Sequence, residues 1–510
     1  MNVARRGFLL GSIGLVGSMA VGGRAAAASL PKSAARGALL VENFRQPTDS
    51  DDTACIARAI AAARAAGGGR VIASAGRVYR VSPSTTFVSL NPSGGTCRYN
   101  VCVQLPPRVT LDMQGSTLQL QGTAEATILS NTNGTGSGKR DSHIGLVNAV
   151  LDGRNVPFTY HSLLHLAYID TLTLNSVKIV RGVLQGGWIY NCAASVFDNL
   201  DADGFVGQPW TIGSPLGDNQ VYDSQFGRLH ARNVTALPGN TFYQPGNSFD
   251  LVLTRCSIDS IAATNCAAGI KLQWPGTDIT LGSVTTDSCG DQNGNSGLKI
   301  QGDASGAVSR VRVGHVVARN QTGPGLFMEM CVDCSVESYS GAGNNKNGNM
   351  GDVWVGGTND HVGAISSDAS GGTGVIVRPY ARGYRLPEVL VTNPGRNPKS
   401  PNNAGVTVFG GVGIFGGVIC IDNQPQGTMS RGVDITSPTA VGSIASLTVS
   451  GQRQAAFNSV SGSFRPPKTL SILKDPTHSA PQRPSARAAE RLRHLRERQS
   501  HKKRRRKVRR

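Results

Sequence analysis

The stretch GIKLQWPGTDITLGSVTTDSCGDQNGNSGLKIQG, residues 269–302, begins and ends with nearly the same six residues. The pattern returns as GLFMEM at Gly325 and DVWVGG at Asp352, so the four segments start 28, 28 and 27 residues apart. A second apolar strand pattern, such as DITLGSVTTD, follows each segment, and residues 105–460 show no convincing helical periodicity. A fixed period of 20–50 residues indicates stacked repeats, so strand repeats of this kind predict a β-solenoid.

Strand geometry converts this repeat into two rows of outward side chains. Successive residues of a strand point to opposite faces, so the apolar residues at alternate positions of each segment are predicted to face the core. Neighbouring coils lie about 4.8 Å apart, which places equivalent outward residues beside one another. The first predicted row contains Lys271, Lys299, Phe327 and Trp354. The second contains Gln273, Gln301 and Glu329.

A different pattern opens the fold in DDTACIARAIAAARAAGGGRVIASAGRVYRV, residues 51–81. Residues 53–66 have the composition of a helix, with Asp51, Asp52 and Thr53 supplying the N-cap and first-turn acids. Three glycines stop that helix, and a strand, a small turn and a second strand follow. The first coil of a solenoid would otherwise expose strand edges and an apolar cross-section, so this helix is expected to cap it.

The same segment, followed by coils that turn at Asn and Gly, resembles the pectate-lyase-like right-handed parallel β-helix superfamily. The resemblance rests on the pattern DDTxxIxxAIxxAxxxGGGxV and covers about residues 45–460. The sequence departs from the family at Ala73-Ser74, where a proline is usual, and has one extra residue before Tyr79. The resemblance implies an all-β fold, a single-stranded right-handed parallel β-helix (solenoid) with an N-terminal capping α-helix. It also implies action on a polysaccharide.

The lysine row is the main functional candidate, and we predict Lys271, Lys299 and Glu329 as catalytic residues. Two neighbouring ammonium groups disfavour each other's charge, which would let one lysine abstract the proton alpha to a uronate carboxyl group. That transfer is the first step of lyase β-elimination, and family lyases resemble this in using a basic residue on the same face. Amides suit sugar hydroxyls and aromatic rings suit sugar faces. The predicted substrate-binding residues are therefore Gln273, Gln301, Phe327 and Trp354.

Other interpretations remain open. Outward Lys, Gln and Glu also form the ordinary solvated face of a sheet, so a non-catalytic surface protein that binds carbohydrate is one alternative. Polygalacturonase-like hydrolases share the fold and use clustered aspartates, although their Asn-Thr-Asp, Asp-Asp and Gly-His-Gly signatures do not occur in order here. The aspartates weighed for that role are Asp201, Asp203, Asp218, Asp223 and Asp250. A uronate epimerase would share the proton-abstraction step with a lyase. The leading hypothesis is cleavage of an acidic, uronic-acid-containing polysaccharide by β-elimination.

Charge is concentrated at the two ends of the chain. The net charge is +19, but residues 481–510 alone carry 14 Lys or Arg and two Glu, and the body is nearly balanced. The body therefore shows no electrostatic footprint for nucleic acid. Residues 1–28 place Arg5-Arg6 before an apolar run and resemble a twin-arginine export signal, which predicts a secreted or periplasmic protein. The basic tail, 466–510, is expected to be disordered and is a candidate contact for anionic cell-surface polymer or lipid.

Ten cysteines suit an oxidising compartment. Cys97 and Cys102 flank a turn-like Arg-Tyr-Asn, which predicts a local disulfide. Cys331 and Cys334 have CxxC spacing, but no second CxxC pair or nearby histidine completes a zinc site. Buried thiols or a disulfide are therefore favoured there, and no metal ligand is predicted. Calcium assists many lyases of the superfamily through acidic clusters, and it is left open as a cofactor because no unambiguous cluster is visible.

Overall fold

A computed structural model of the chain describes residues 37–473 apart from short internal gaps. The gaps are 91–95, 135–138, 159–161, 216–218, 239–245, 291–296, 349, 398–399, 401–402 and 425–426, and the side chains of 87–90 and 96–99 are also outside the description. The predicted export signal, 1–28, lies outside the described residues, as does the part of the predicted tail after residue 473.

The described elements are one short 3-10 helix, one α-helix and a long succession of strands. The N-terminal elements are β1 (Leu39–Leu40), the 3-10 helix (Val41–Phe44), α1 (Thr53–Ala65), β2 (Gly69–Ile72), β3 (Val78–Val81), β4 (Thr85–Leu90) and β5 (Thr96–Leu105). The next strands are β6 (Val109–Leu120), β7 (Thr127–Asn131), β8 (Asp141–Asp152), β9 (Ser162–Val180), β10 (Val183–Ala193), β11 (Val196–Ile212), β12 (Val221–Tyr222), β13 (Gln225–Thr235), β14 (Asn247–Leu251), β15 (Leu253–Cys266), β16 (Ala268–Gln273) and β17 (Thr277–Asp287). The last are β18 (Leu298–Gln301), β19 (Val308–Arg319), β20 (Leu326–Val332), β21 (Ser335–Ala342), β22 (Gly351–Thr358), β23 (His361–Asp368), β24 (Thr373–Val377), β25 (Arg382–Thr392), β26 (Val406–Val408), β27 (Val412–Ile421), β28 (Val433–Ile435), β29 (Val441–Ser450), β30 (Phe457–Ser459), β31 (Phe464–Arg465) and β32 (Thr469–Leu473).

Each central coil contributes a short strand and then a long one. The short strands β14, β16, β18, β20, β22 and β24 form one parallel ladder. The long strands β15, β17, β19, β21, β23 and β25 form another. Pairing of the long strands skips one position, as at Gly282 in β17, so each long strand bends and the coil has three faces. Parallel strands joined in this way cross over with a right hand. The predicted right-handed parallel β-helix is confirmed.

The repeat identified in the sequence fills the core as predicted. Ile270 and Leu272 of β16 are at most 1% exposed, and the equivalent residues of β18, Leu298 and Ile300, are fully buried. Their outward neighbours in the same strands are half-buried. Each buried aliphatic side chain contributes about 1.5–3 kcal/mol. The apolar–polar alternation therefore fixes which side chains can reach a ligand.

Helix α1 caps the first coils and confirms the predicted capping helix, ending at Ala65. Its apolar stripe includes Ile56 and Ile60, which are buried against the strands below. The N-terminal acids act differently from the prediction. Asp52 makes no side-chain capping bond; its carboxylate accepts the backbone N–H of Arg80 at 2.7 Å and so ties the helix to β3. Among the described residues, no helix is long and apolar enough to cross a membrane.

The disulfide predicted between Cys97 and Cys102 is wrong. Both cysteines lie on one continuous strand, β5, and the Arg-Tyr-Asn between them is extended rather than turned. Five residues of strand span about 16 Å, whereas bridged cysteines need Cα atoms within about 7 Å. Cys102 is accordingly a buried free thiol, like the other cysteines whose side chains the structure describes.

The C-terminal coils continue past the end predicted at residue 460. Strand β32 pairs in parallel with β29, although its residues fall within the predicted tail. Leu470 and Ile472 of this strand are exposed. The described solenoid therefore ends on an uncovered strand rather than on a helix such as α1.

A buried polar network lies beside the corner where the long strands return to the short ones. The Tyr339 hydroxyl donates to the carboxylate of Asp352, and the Asn344 amide donates to the Tyr339 oxygen at 3.1 Å. The backbone N–H of Gly325 also donates to this carboxylate, at 3.3 Å. Burial raises the pKa of Asp352 above its ordinary value despite these donors.

This raised pKa predicts how stability depends on pH. At low pH both states hold the Asp352 proton. As pH rises above the ordinary carboxyl value of about 4, the unfolded state releases its proton and the folded state retains it. The free energy of unfolding is therefore highest at low pH as far as Asp352 is concerned. It falls as the pH is raised, by up to about 1.4 kcal/mol per pH unit for this group. Asp352→Asn should remove that component, measured by chemical denaturation from pH 4 to pH 8.

Asp278→Asn is the matched control. A hydrogen bond from Arg310 lowers the pKa of Asp278, so this carboxylate stabilises the fold above pH 4 and the contribution is lost as pH falls. Between pH 4 and pH 8 the difference in unfolding free energy from the unmodified protein should therefore stay constant for Asp278→Asn and change with pH for Asp352→Asn. Parallel curves for the Asp352 variant and the unmodified protein would contradict the prediction.

Candidate functional site

The register of the short strands confirms the predicted first row of side chains. Lys271 of β16 lies opposite Lys299 of β18, Lys299 opposite Phe327 of β20, and Phe327 opposite Trp354 of β22. The same register adds Asp250 of β14, which lies opposite Lys271. We call these five residues the front row. Both lysines are half-buried.

The predicted second row also forms, with an interruption. Gln273 lies opposite Gln301, Gln301 opposite Glu329, and Glu329 opposite Gly356. A Cβ atom at Gly356 would lie 3.1 Å from the Tyr380 ring, so the missing side chain leaves room for that ring to reach back. The Tyr380 hydroxyl donates a hydrogen bond to Glu329 across this gap. Glu329 therefore already has a hydrogen-bond donor within the protein.

The two aromatic residues of the front row are stacked on each other. Phe327 and Trp354 are only 7% and 8% exposed, with ring centroids 5.2 Å apart and planes inclined by 25°. Cations cover the outer faces of the pair: Lys299 Nζ lies 5.5 Å from the Phe327 centroid, and Arg378 Cζ lies 4.3 Å from that of Trp354. Each ring therefore has its partner ring on one face and a cation on the other, among the described contacts. This leaves no ring face for the predicted stacking of a sugar. The rings instead hold two cations in place.

Asp250 supplies a carboxyl group beside the lysines. Its Oδ2 accepts a hydrogen bond from Gln208 Nε2 at 2.9 Å, whereas its Oδ1 is buried and has no hydrogen-bond partner among the described residues. Burial raises the pKa of Asp250, opposed by the charge of Lys271, the Gln208 hydrogen bond and the charge of Lys299. The carboxyl group thus lies next to Lys271 in the row, within electrostatic range of both lysines.

The other aspartates weighed for hydrolysis lie away from the lysines. Asp201 and Asp203 belong to the part of β11 that pairs with the long strand β13. Asp223 follows β12, and the hydrogen bond from Arg255 lowers its pKa. Asp218 lies outside the described residues. Of the described members of that set, Asp250 is the one in the front row, so the predicted aspartates do not form a cluster.

A second aromatic group bounds the row on its N-terminal side. Trp188 of β10 lies opposite His165 of β9, and Tyr190 Oη lies 3.3 Å from His165 Nε2. His165 shares the outward register of the front row, but it is fully buried under these rings. The charged segment from Asp250 to Lys299 is therefore enclosed between two aromatic groups along the solenoid.

A separate cavity of about 530 Å³ lies on another face, near the capped end. Its charged side chains are neutralised locally, because Arg70 pairs with Asp112 and Lys178 Nζ lies 3.5 Å from Asp203. The front row instead sets two lysines on adjacent coils, and it is the stronger candidate for an anionic ligand.

The sequence did not place two residues of this site. Asp250 was considered there only as one of the hydrolase aspartates and not as a member of the front row. Phe249-Asp250-Leu251 has the same apolar–charged–apolar order as Ile270-Lys271-Leu272, but it starts 21 residues earlier rather than 28, so a fixed period passes over it. Arg378 follows β24 and has no counterpart in the repeat. Only the first of these carries a local signal that pattern analysis could have used.

Comparison with known proteins gives fold relatives only. No protein-family model and no curated protein matches the sequence. Among solved structures, a tailspike protein mutant of E. coli bacteriophage HK620 in complex with hexasaccharide is similar over 85% of this chain and 78% of its own, with 11% identity and a TM-score of 0.52. A second mutant of that tailspike, with pentasaccharide, has a TM-score of 0.51 at the same coverage and identity. The A-module of Azotobacter vinelandii mannuronan C-5 epimerase AlgE6 has 16% identity over 87% of this chain and all of its own, with a TM-score of 0.43. At identities this low, the structural similarity to the tailspike establishes the β-helix fold alone.

The stacked ring pair predicts that Trp354 acts mainly through stability. Trp354→Ala removes a nearly buried indole and should lower the free energy of unfolding by about 3–5 kcal/mol. Ile414→Ala, at an exposed apolar residue of β27, should stay within about 0.5 kcal/mol. Chemical denaturation of both variants checks this. A near-neutral effect at Trp354 would mean that the indole is an open platform after all.

Proposed function

We propose that the protein is an exported enzyme that cleaves an acidic, uronic-acid-containing polysaccharide by β-elimination at the front row. The observation that carries the proposal is the stacking of Lys271 on Lys299, one coil apart, with the carboxyl group of Asp250 next in line. Like charges held side by side favour a polyanionic ligand, because each carboxylate of the ligand offsets their repulsion. The HK620 tailspike complexes are examples of this fold with a bound oligosaccharide.

The arrangement suits removal of a proton alpha to a carboxyl group. Lys271 lies between Asp250 and Lys299 and is assigned to bind the uronate carboxylate. Lys299 lies one coil farther from Asp250 and, as the free amine, takes the proton from the carbon alpha to the carboxylate. The electron pair of that C–H bond forms the new double bond, the adjacent C–O bond breaks, and the departing oxygen takes up a proton. Gln273 and Gln301 lie alongside and offer amides to sugar hydroxyls.

The spacing of the carboxylates favours elimination over hydrolysis. A glycoside hydrolase needs two carboxyl groups about 5–9.5 Å apart. Asp250 and Glu329, the acids of the two rows, are three coils apart along the solenoid, which is about 14 Å. Glu329 is also engaged by Tyr380, so we assign it to holding that corner rather than to proton transfer.

The two ends of the chain complete the proposal. Export through the twin-arginine-type signal, residues 1–28, would deliver the protein to the periplasm or the exterior, where such polysaccharides occur. The basic tail, residues 466–510, would hold the protein near anionic cell-surface polymer or lipid. Both segments are assigned from sequence.

The decisive assay follows ultraviolet absorbance and reducing ends together, on a panel of uronic-acid polymers. β-Elimination should raise both signals. Lys299→Ala should lower kcat by about 10²–10⁴-fold, as expected for loss of a general base. Lys299→Arg keeps the positive charge and a cation for the Phe327 ring, but arginine does not deprotonate, so this variant should bind polymer and fail to cleave it. Lys139→Ala, at an exposed lysine just before β8 and several coils from the front row, is the control and should retain full activity.

Each other outcome of this assay points to a different function. Reducing ends without new absorbance would mean hydrolysis and would overturn elimination. Exchange of the alpha hydrogen with deuterated water, without either signal, would mean epimerisation. Binding without any chemical change would leave a carbohydrate-binding protein. Full activity of Lys299→Arg would show that this residue is not the base.

Asp250 is predicted to be a positioning residue, because its buried Oδ1 and its bonded Oδ2 do not face a ligand. Asp250→Asn preserves the shape and an acceptor for Gln208 and removes the negative charge. The proposed base, Lys299, then becomes easier to deprotonate, so the pH profile of kcat/KM should shift to lower pH. Asp278→Asn, on another face, should leave the profile unchanged. An unshifted profile for Asp250→Asn would exclude electrostatic coupling between this carboxyl group and the base.

A further inference from the structure

The corner beyond the second row contains a cluster that the sequence shows only in part. Cys331 lies near the end of β20, Cys334 immediately precedes β21, and Asp360 lies between β22 and β23 in the next coil. All three are at most 1% exposed. One Sγ of each cysteine and one carboxylate oxygen lie within 4.8 Å of one another. Stacking of coils thus brings a buried carboxylate to a CxxC pair 26 residues away.

The contacts at this corner differ from those of the other buried cysteines. Cys192 and Cys420 each direct the thiol at a backbone carbonyl, at 3.4 Å in both cases. Cys331 Sγ instead lies 3.2 Å from Asp360 Oδ2. Asp360 Oδ1 is buried and has no hydrogen-bond partner among the described residues. The described protein groups therefore leave one acceptor oxygen of the cluster without a donor. A buried acceptor without a partner lowers the stability of the fold unless a cation binds to it.

The backbone leaves room around these donors. A Cβ atom at Gly357 would lie 2.2 Å from Asp360 Oδ2 and 2.7 Å from Cys331 Sγ, so no larger residue fits. The carbonyl oxygen of Cys331 faces the same side of Gly357, at 2.4 Å from that position. Two sulfurs, a carboxylate oxygen and a nearby carbonyl oxygen make up a four-donor set of the kind that a tetrahedral cation takes.

We propose that Cys331, Cys334 and Asp360 bind one thiophilic divalent cation of the zinc class as a buried cross-link between adjacent coils. Thiolate ligands select such ions over calcium or magnesium, which prefer oxygen. Burial of all three ligands leaves no open position for a substrate, so the ion is structural. It joins the turn after β20 to the turn after β22, and so fixes the corner next to Glu329 and Gly356. This inference stands independently of the proposed lyase activity.

The test uses the untagged full-length protein, reduced, stripped with a chelator and then dialysed against Zn²⁺. Elemental analysis should find about one zinc per chain. Asp360→Asn, which is nearly isosteric, and Cys334→Ser should each lose it, whereas Cys420→Ser should retain it. Co²⁺ in place of Zn²⁺ should give the visible absorption of thiolate-bound cobalt, and Cys331→Ser should abolish it. Zn²⁺ should raise the Tm of the unmodified protein but not that of Asp360→Asn.

Three results would overturn the site. The first is no stoichiometric uptake of Zn²⁺ or Co²⁺ by the reduced, folded protein. The second is a Cys331–Cys334 disulfide in the isolated protein, together with no metal uptake after reduction. The third is equal uptake by all variants, or loss only in Cys266→Ser, which would place the ion at the buried thiols of Cys266 and Cys289. Circular dichroism of each variant verifies that the β-structure is retained, and the uptake measurement on the unmodified protein decides the question even if a variant does not fold.

Discussion

In-register stacking of parallel strands is the constraint on which the rest of this structure depends. The backbone hydrogen bonds of each short strand are made to the strands of the coils before and after it. Each side chain therefore lies about 4.8 Å from the side chain at the equivalent position of the neighbouring coil. This ladder buries Ile270 and Leu272 and at the same time places Lys271 against Lys299. Core and surface are therefore set by one periodicity, and a change of register would invert both.

The sequence was sufficient to predict the coils that keep the period. Segments at 28- and 27-residue spacing gave the correct inward and outward residues and the correct partners from Lys271 to Trp354. The place of Asp250 beside Lys271 was not predicted because its coil is shorter, and the register is set by strand pairing rather than by the length of the connecting loop. The helix 53–66 was predictable for a different reason, since its composition and its glycine stop are local signals.

Contacts between coils of different lengths could not be predicted in this way. Alternation shows that Phe327 and Trp354 point outward, but not that Arg378, from a later turn, covers the indole. Spacing shows the CxxC pair, but Asp360 meets Cys331 only because the coil between them is 26 to 29 residues long. The predicted Cys97–Cys102 disulfide failed because proximity in sequence is not proximity in space when the residues between are extended. In the first two cases the deciding partner comes from another coil.

The distribution of charge separates the front row from the rest of the solenoid. On the long-strand faces, the carboxylate of one coil meets an arginine of the next, as Asp223 meets Arg255 and Asp278 meets Arg310. Such pairs contribute little stability, but they leave the surface locally neutral. The front row places Lys299 directly against Lys271, an arrangement that is unfavourable in a sheet. Backbone pairing, which fixes the register, therefore holds two like charges on adjacent coils here, whereas it joins opposite charges at the pairs on the long-strand faces.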